Sequence, residues 1–122
     1  MLEKGAAERF NMKLAHIGIN ADSGEEALAW AGQFGKLLGL EVKDTPKSVY
    51  TGEIIEIKKN GGRGANGHIG LSVNNCEAAL AYFAEQGVGV LEKTKKFRPD
   101  GKCYFAYLDL EIGGFAIHLV EE

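Results

Sequence analysis

Residues 67–82 read GHIGLSVNNCEAALAY, and residues 16–30 read HIGINADSGEEALAW. Laid without gaps so that His68 covers His16, the two stretches share His, Ile, Gly, Glu, Ala, Leu and Ala, seven of fifteen positions, at a constant offset of 68 − 16 = 52. Self-similarity held at one offset, across a strand-like run and the helix-like run after it, marks a duplicated structural unit. Both copies open on histidine. The chain has three histidines, and the third, His118, falls near the end of the second copy where the first has Glu56.

Working outward, Ala15, Ile17 and Ile19 fall on one face of residues 14–20 and His16 and Gly18 on the other, the period of two of a strand. Ser23 followed by Glu26 forms a capping box, and Ala27, Trp30, Ala31, Phe34, Leu37 and Leu38 recur at helical spacing until Gly39. Residues 40–43, 48–51 and 52–58 then read as three short strands, broken by Asp44-Thr45-Pro46 and by Gly52. The second copy repeats the order. Ile69, Leu71 and Val73 make the apolar strand face, Asn74 and Asn75 offer a helix cap, and the helix runs through Leu80 and Phe83 to Gly87. Residues 88–91, 103–110 and 115–120 supply three more strands, separated by Pro99-Asp100-Gly101 and Gly113-Gly114. The reading is therefore α+β: one domain over residues 13–122, made of βαβββ units at 13–59 and 67–122. Residues 1–12 read as an N-terminal tail or short docking segment. The glycine-rich residues 60–66 lack the Gly-Lys-Ser/Thr ending of a phosphate loop and run into a strand, so they read as a flexible linker.

A chain of 122 residues, 45% apolar and 25% charged, has the size and composition of one globular domain. No apolar run approaches the roughly 20 residues of a spanning helix. The start, MLEKGAAERFNMK, lacks the apolar centre of a secretory signal, and Cys76 and Cys103 form no CxxC pair, which points to a reducing cytoplasm. Fourteen basic and seventeen acidic residues leave a net charge of −3, against a nucleic-acid footprint. Lys93, Lys95, Lys96, Arg98 and Lys102 form the one basic cluster, read as a solvated loop in preference to a phosphate site.

The chemistry lies in the polar positions of the strands. Residues 54–58, IIEIK, lie over 116–120, AIHLV, with Glu56 and His118 mid-strand in each. His16 with Glu56, and His68 with His118, thus share the face opposite the core-directed Ile17, Ile19, Ile55, Ile57, Ile69, Leu71, Ile117 and Leu119. A strand histidine is more often packed or hydrogen-bonded than a ligand. Here every histidine takes a repeat-related slot, and three imidazoles with a carboxylate on one concave face are the inventory of a divalent metal site. Strand phase adds Tyr50, Lys58, Ser72, Tyr104 and Ala106 as residues lining it for a small-molecule substrate.

His16-Ile-Gly on a first strand, Ile55-Glu56-Ile57 on a fourth, Gly67-His68-Ile69 opening the second half and His118 on the closing strand resemble the vicinal oxygen chelate superfamily of glyoxalase I, bleomycin-resistance proteins and extradiol dioxygenases. The resemblance runs from Lys13 to Glu121, and EIIEIKKNGGRGANGHIGLSVNN looks like the matching stretch of bacterial glyoxalase I. It implies two βαβββ units forming a curved mixed sheet around one site. It further implies a metal on His16, Glu56, His68 and His118, with Glu56 as catalytic base of a lyase or isomerase acting on a 2-oxo or hemithioacetal substrate. By the same analogy the protein is a homodimer in which His16 and Glu56 of one subunit meet His68 and His118 of the other, with pairing of the four within one chain left open. His118 departs from the glutamate of glyoxalase I. A divalent ion with one carboxylate retains about +1, against about zero with two, and nitrogen-rich ligation favours Zn, Ni, Co or Fe. A non-catalytic binding protein of the bleomycin-resistance kind and an Fe(II) dioxygenase are the alternatives within the resemblance. LAHIGIN, GHIG and IGGFAIHLVEE are also similar to a domain appended to some 2-keto-3-deoxy-6-phosphogluconate aldolases, which would imply a sugar-acid or 2-oxo acid phosphate and draws attention to the lysines around Lys95.

Overall fold

The repeat in the sequence is a repeat in space. The computed structural model describes residues 5–122. After a one-turn helix α1 (Ala6–Arg9), the first unit consists of β1 (Lys13–Asn20), α2 (Gly24–Leu38), β2 (Val42–Asp44), β3 (Ser48–Thr51) and β4 (Ile55–Lys58). The second consists of β5 (Gly67–Val73), α3 (Cys76–Glu85), β6 (Lys96–Phe97), β7 (Cys103–Ile112) and β8 (Phe115–Glu121). All eight strands join one mixed sheet in the order β2-β3-β4-β1-β5-β8-β7-β6. β1 runs parallel to β4, β5 runs parallel to β8, and β1 and β5 meet antiparallel at the centre. The order is therefore symmetric about the β1–β5 seam. This is the α+β architecture of two βαβββ units expected from the repeat.

Each helix covers one half of the sheet. Ala27 and Ala31 of α2 are fully buried against Val49, Ile55 and Ile57, and small side chains on this face let the helix lie close to the strands. The helix starts where its cap predicts, with the Glu26 N–H donating to Ser23 Oγ at 3.1 Å, and ends at Gly39 in the left-handed conformation. Asn75 caps α3 through the Ala78 N–H at 3.0 Å. Beneath α3, a second cluster gathers Val73, Cys76, Ala79, Cys103, Ala106, Leu108, Ile117 and Leu119. Phe10 and Met12 pack on it, and the Asn74 N–H donates to Phe10 O at 2.9 Å, so the end of the N-terminal segment docks on its own chain. Residues 1–4 of that segment lie outside the described residues. Among the described residues no helix is long and apolar enough to cross a membrane.

Two expectations are corrected. Residues 88–91 do not form a strand: only Val90 makes an isolated bridge, with Leu108, and the edge strand is β6, after a 3-10 turn at Glu92–Thr94. Thr94 is the cause, because its hydroxyl donates to Leu91 O at 2.6 Å and accepts the Tyr107 N–H at 2.8 Å, turning the chain where a ladder would have continued. The glycine-rich connector is held to both halves instead of hanging free. Asn20 Nδ2 donates to Gly64 O at 2.8 Å, the Ala65 N–H to Glu111 Oε1 at 2.9 Å and the Asn66 N–H to Gly114 O at 2.7 Å.

Candidate metal centre

The register across the seam sets up the site. Gly18 on β1 is flanked by Glu56 on β4 and His68 on β5, and Gly70 on β5 is flanked by His16 on β1 and His118 on β8. The sheet thus carries two cross-strand rows, Glu56–Gly18–His68 and His16–Gly70–His118, which the symmetry of the duplication exchanges. Neither glycine has a positive φ. What demands glycine is space: a Cβ on Gly18 would enter the His68 ring, and one on Gly70 would lie 2.7 Å from His118 Nε2 and 2.8 Å from His16 Cε1. Imidazoles from both neighbouring strands fold over the bare backbone between them.

The result is a tight cluster. His16 Nε2 lies 3.0 Å from His68 Nε2 and 3.3 Å from His118 Nε2, while Glu56 Oε1 lies 3.3 Å from His68 Nε2 and 3.8 Å from His16 Nε2. An ion bound at about 2.1 Å by each group would set neighbouring ligand atoms roughly 3.0–3.4 Å apart, from octahedral to tetrahedral geometry, so the spacing fits. The donor set fits as well. Ring nitrogens that face each other this closely cannot all be satisfied by each other's single protons, whereas one cation satisfies every lone pair. The Nδ1 atoms of His68 and His118 are buried with no hydrogen-bond partner among the described residues, and the rings pack against each other, Phe105 and Tyr107.

Protonation states suit ligation. Glu56 is pulled down to about 2, foremost by its hydrogen bond with His68, then by Ser48 and the charge of Lys58, against the opposing effect of burial. Its Oε2 accepts from Ser48 Oγ at 2.8 Å and from Tyr50 OH at 3.2 Å, which leaves Oε1 for the imidazoles. Burial, followed by the neighbouring His16 and His68, pushes His118 down to about 3, and burial followed by His68 lowers His16. At neutral pH His16 and His118 are neutral and Glu56 is ionised, the forms that bind a metal. Metal-free protein should accordingly lose stability on acidification. The unfolded chain takes up a proton at His118 below about 6.5 that the fold refuses until about 3, and one at Glu56 below 4.5 that the fold refuses until about 2, so both groups act in the same direction. Urea midpoints that fall steadily from pH 7 to pH 4 are the expected result; a flat profile would contradict these environments.

No family model matches the chain, and no curated protein matches it. Solved structures do. The chain superposes on hypothetical protein BH1468 from Bacillus halodurans C-125 with a TM-score of 0.59 at 23% identity, covering 91% of this chain and 94% of that one. It superposes on methylmalonyl-CoA epimerase from Mycobacterium tuberculosis with a TM-score of 0.57 at 17% identity, covering 99% and 92%. This chain has the vicinal oxygen chelate fold. A homoprotocatechuate 2,3-dioxygenase from Arthrobacter globiformis, matched at a TM-score of 0.58 and 18% identity over 90% of this chain, is larger, and the match covers 36% of it. At these identities the likeness is one of fold.

Within this vicinal oxygen chelate fold the three histidines meet inside one chain with Glu56 beside His68 and His16, the within-chain arrangement that the sequence had left open beside pairing across two subunits. The β1–β5 seam does this, placing His16 and His68 on adjacent strands of the same sheet. In front of them opens a cavity of about 470 Å³. Of the expected lining residues, Lys58 is on its wall and Tyr50 stands behind Glu56. Ser72 lies two residues beyond Gly70, its Oγ donating to Lys13 O at 3.4 Å, and is not among the residues lining the cavity. Tyr104 and Ala106 are also corrected: Ala106 is fully buried in the core and Tyr104 lies under Arg98, 5.1 Å from ring centroid to guanidinium. Phe105 and Tyr107 take their place on the wall. The cause is a β-bulge. Pairing slips by one residue between Lys96↔Phe105 and Phe97↔Cys103, so Tyr104 is an extra residue that reverses the faces of β7 beyond Cys103.

Sequence reasoning passed over Arg63 and read Lys93, Lys95 and Lys96 as solvated loop in preference to a phosphate site, yet all four share the cavity. Their signals were present in the Arg of NGGRGANG and in the basic run read as solvated loop. Gly18 and Gly70 were visible too, as the third residue of the repeated His-Ile-Gly.

Proposed function

We propose that this protein is a metal-dependent enzyme of the isomerase or lyase type, holding one divalent ion on His16, Glu56, His68 and His118 and acting on a small substrate with two adjacent oxygens, of the 2-oxo or hemithioacetal class. The convergence of the three imidazoles, with Glu56 Oε1 3.3 Å from His68 Nε2 and 3.8 Å from His16 Nε2, over glycines whose added Cβ would strike those rings, is the observation that supports it. The ion, Zn, Ni, Co or Fe by ligand type, would supply Lewis-acid polarisation of the substrate oxygens. Phe105 and Tyr107 wall one side of the cavity with aromatic surface. Ser48 and Tyr50 fix Glu56, and Lys58 adds positive charge beside it.

Glu56 carries two roles in this reading, ligand and proton acceptor. The second is demanding, because a carboxylate pulled to about 2 is a weak base at neutral pH. That observation favours, as a second reading, a protein that binds its small molecule without turning it over. Metal content and Glu56→Gln separate the two. Protein purified without a tag or chelator should contain near-stoichiometric Zn, Ni, Co or Fe by plasma mass spectrometry, and the His16→Ala variant should contain little. Glu56→Gln that retains metal but loses proton exchange at the substrate carbon supports the enzyme; unchanged small-molecule binding with no exchange in either protein supports the binding reading. Metal-free wild type that also refuses added Ni and Zn would overturn the enzyme reading and leave the binding one.

A further inference from the structure

The wall facing the histidines is cationic. Lys58, Arg63, Lys93, Lys95 and Lys96 line the cavity with Glu56 as the single carboxylate, a formal balance of 5 − 1 = +4 with the histidines left out, in a chain whose net charge is −3 on the same convention. Off the wall, Lys59 pairs with Asp44 at 2.6 Å and Arg98 with Glu121 at 3.2 Å. On the cavity wall only Lys95 has such a partner among the described residues, Glu92 at 2.9 Å.

Two of these cations are positioned by the site itself. Lys96 Nζ sits 4.4 Å from the centre of the Phe105 ring and the Arg63 guanidinium 5.3 Å from that of Tyr107, and these rings lie 4.5 Å and 5.1 Å from the His118 ring. The aromatic faces hold the charges in place beside the cluster. The charges come from both halves of the fold, Lys58 and Arg63 from β4 and the connector, Lys93 and Lys96 from the turn and strand before β7. Like charges collected around a concave site concentrate anions there. Glu56 offsets one of these charges, interacting with Lys58, and leaves the others in excess. A cavity of about 470 Å³ is small, in the range of a metabolite.

We propose that the substrate is a small dianion: a 2-oxo or 2-hydroxy acid whose adjacent oxygens face the histidines and whose second anionic group, a phosphate or a carboxylate, is gripped by Lys58 and Arg63 on one side and Lys93 and Lys96 on the other. The assignment of the adjacent oxygens rests on the metal reading above; the cationic grip rests on the wall alone. Titration calorimetry with three 2-hydroxy acids tests it: glycerate, without a second anion, malate, with a carboxylate, and 3-phosphoglycerate, with a phosphate. Each is measured on Zn-loaded and metal-free protein, for the wild type and for a Lys58→Gln/Arg63→Gln variant whose thermal midpoint verifies folding. Wild type should bind at least one dianion 10-fold or more tighter than glycerate, and the variant should reduce that advantage to under twofold; the better of the two dianions identifies the arm. Equal binding of glycerate and both dianions, an advantage that survives in the variant, or no binding by any of the three would overturn the inference. If binding is the same with and without Zn, the metal reading fails, while loss of the advantage in the variant still upholds the grip.

Discussion

Alanine at Gly70 should lower metal affinity on the order of 100-fold, at least the loss seen when a group that orients a ligand is removed. The added methyl would lie 2.7 Å from His118 Cε1 and Nε2 and 2.8 Å from His16 Cε1, distances at which something must move. The atoms it meets belong to rings wedged in a buried cluster, with His118 only 2% exposed, so relief means swinging two ligands off the point they share. Gly18→Ala should act in the same way through His68, whose ring fills the space above it. Overpacking of this kind also costs about 1–3 kcal/mol of stability, readable as a lower urea midpoint. Gly32→Ala is the control. It lies on the exposed side of α2 with nothing within 4 Å of its added Cβ, and should gain about 0.5–1 kcal/mol from helix propensity with no change in metal binding. Calorimetric titration of Zn or Ni into the three variants decides it. Undiminished affinity in Gly70→Ala would mean that the imidazoles are not held where the structure puts them.

The second large effect is expected from His118→Leu, which changes a ligand for an apolar side chain of similar volume. Metal affinity should fall by more than the roughly 10–100-fold that accompanies loss of a supporting group. The metal-free protein should respond in the opposite sense. His118 is buried and pushed down to about 3, with an orphaned Nδ1, and leucine removes both the unpaired nitrogen and the refused proton. At pH 5 the unfolded chain is stabilised by protonation of this histidine and the fold is not, a difference of about 1–2 kcal/mol that the variant no longer carries. Urea titrations at pH 7 and pH 5 should therefore show a smaller loss on acidification for His118→Leu than for metal-free wild type. An equal or steeper loss would place the acid sensitivity elsewhere.

Much of this was legible in residue order because it depends on local periodicity. A strand with a period of two divides its side chains between faces whatever its neighbours are, so His16, Glu56, His68 and His118 could be placed opposite the core-directed Ile17, Ile57, Ile69 and Leu119 from sequence. The fixed offset of 52 between the HIG copies revealed the duplication. The same logic failed for Tyr104, Ala106, Phe105 and Tyr107, because one bulged residue inverts every face after it and a bulge is set by pairing with another strand.

What the sequence by itself determined is the paired βαβββ plan, the helix caps and the kinds of side chain available as ligands. These follow from backbone preference and apolar spacing within a few residues of each other. Only the tertiary structure decided that the four groups converge within one chain, that Gly18 and Gly70 make room for the rings, and that Arg63 from the connector joins Lys93 and Lys96 on the cavity wall. Those contacts join residues far apart in the chain, so they exist only once the β1–β5 seam has fixed which residue stands beside which.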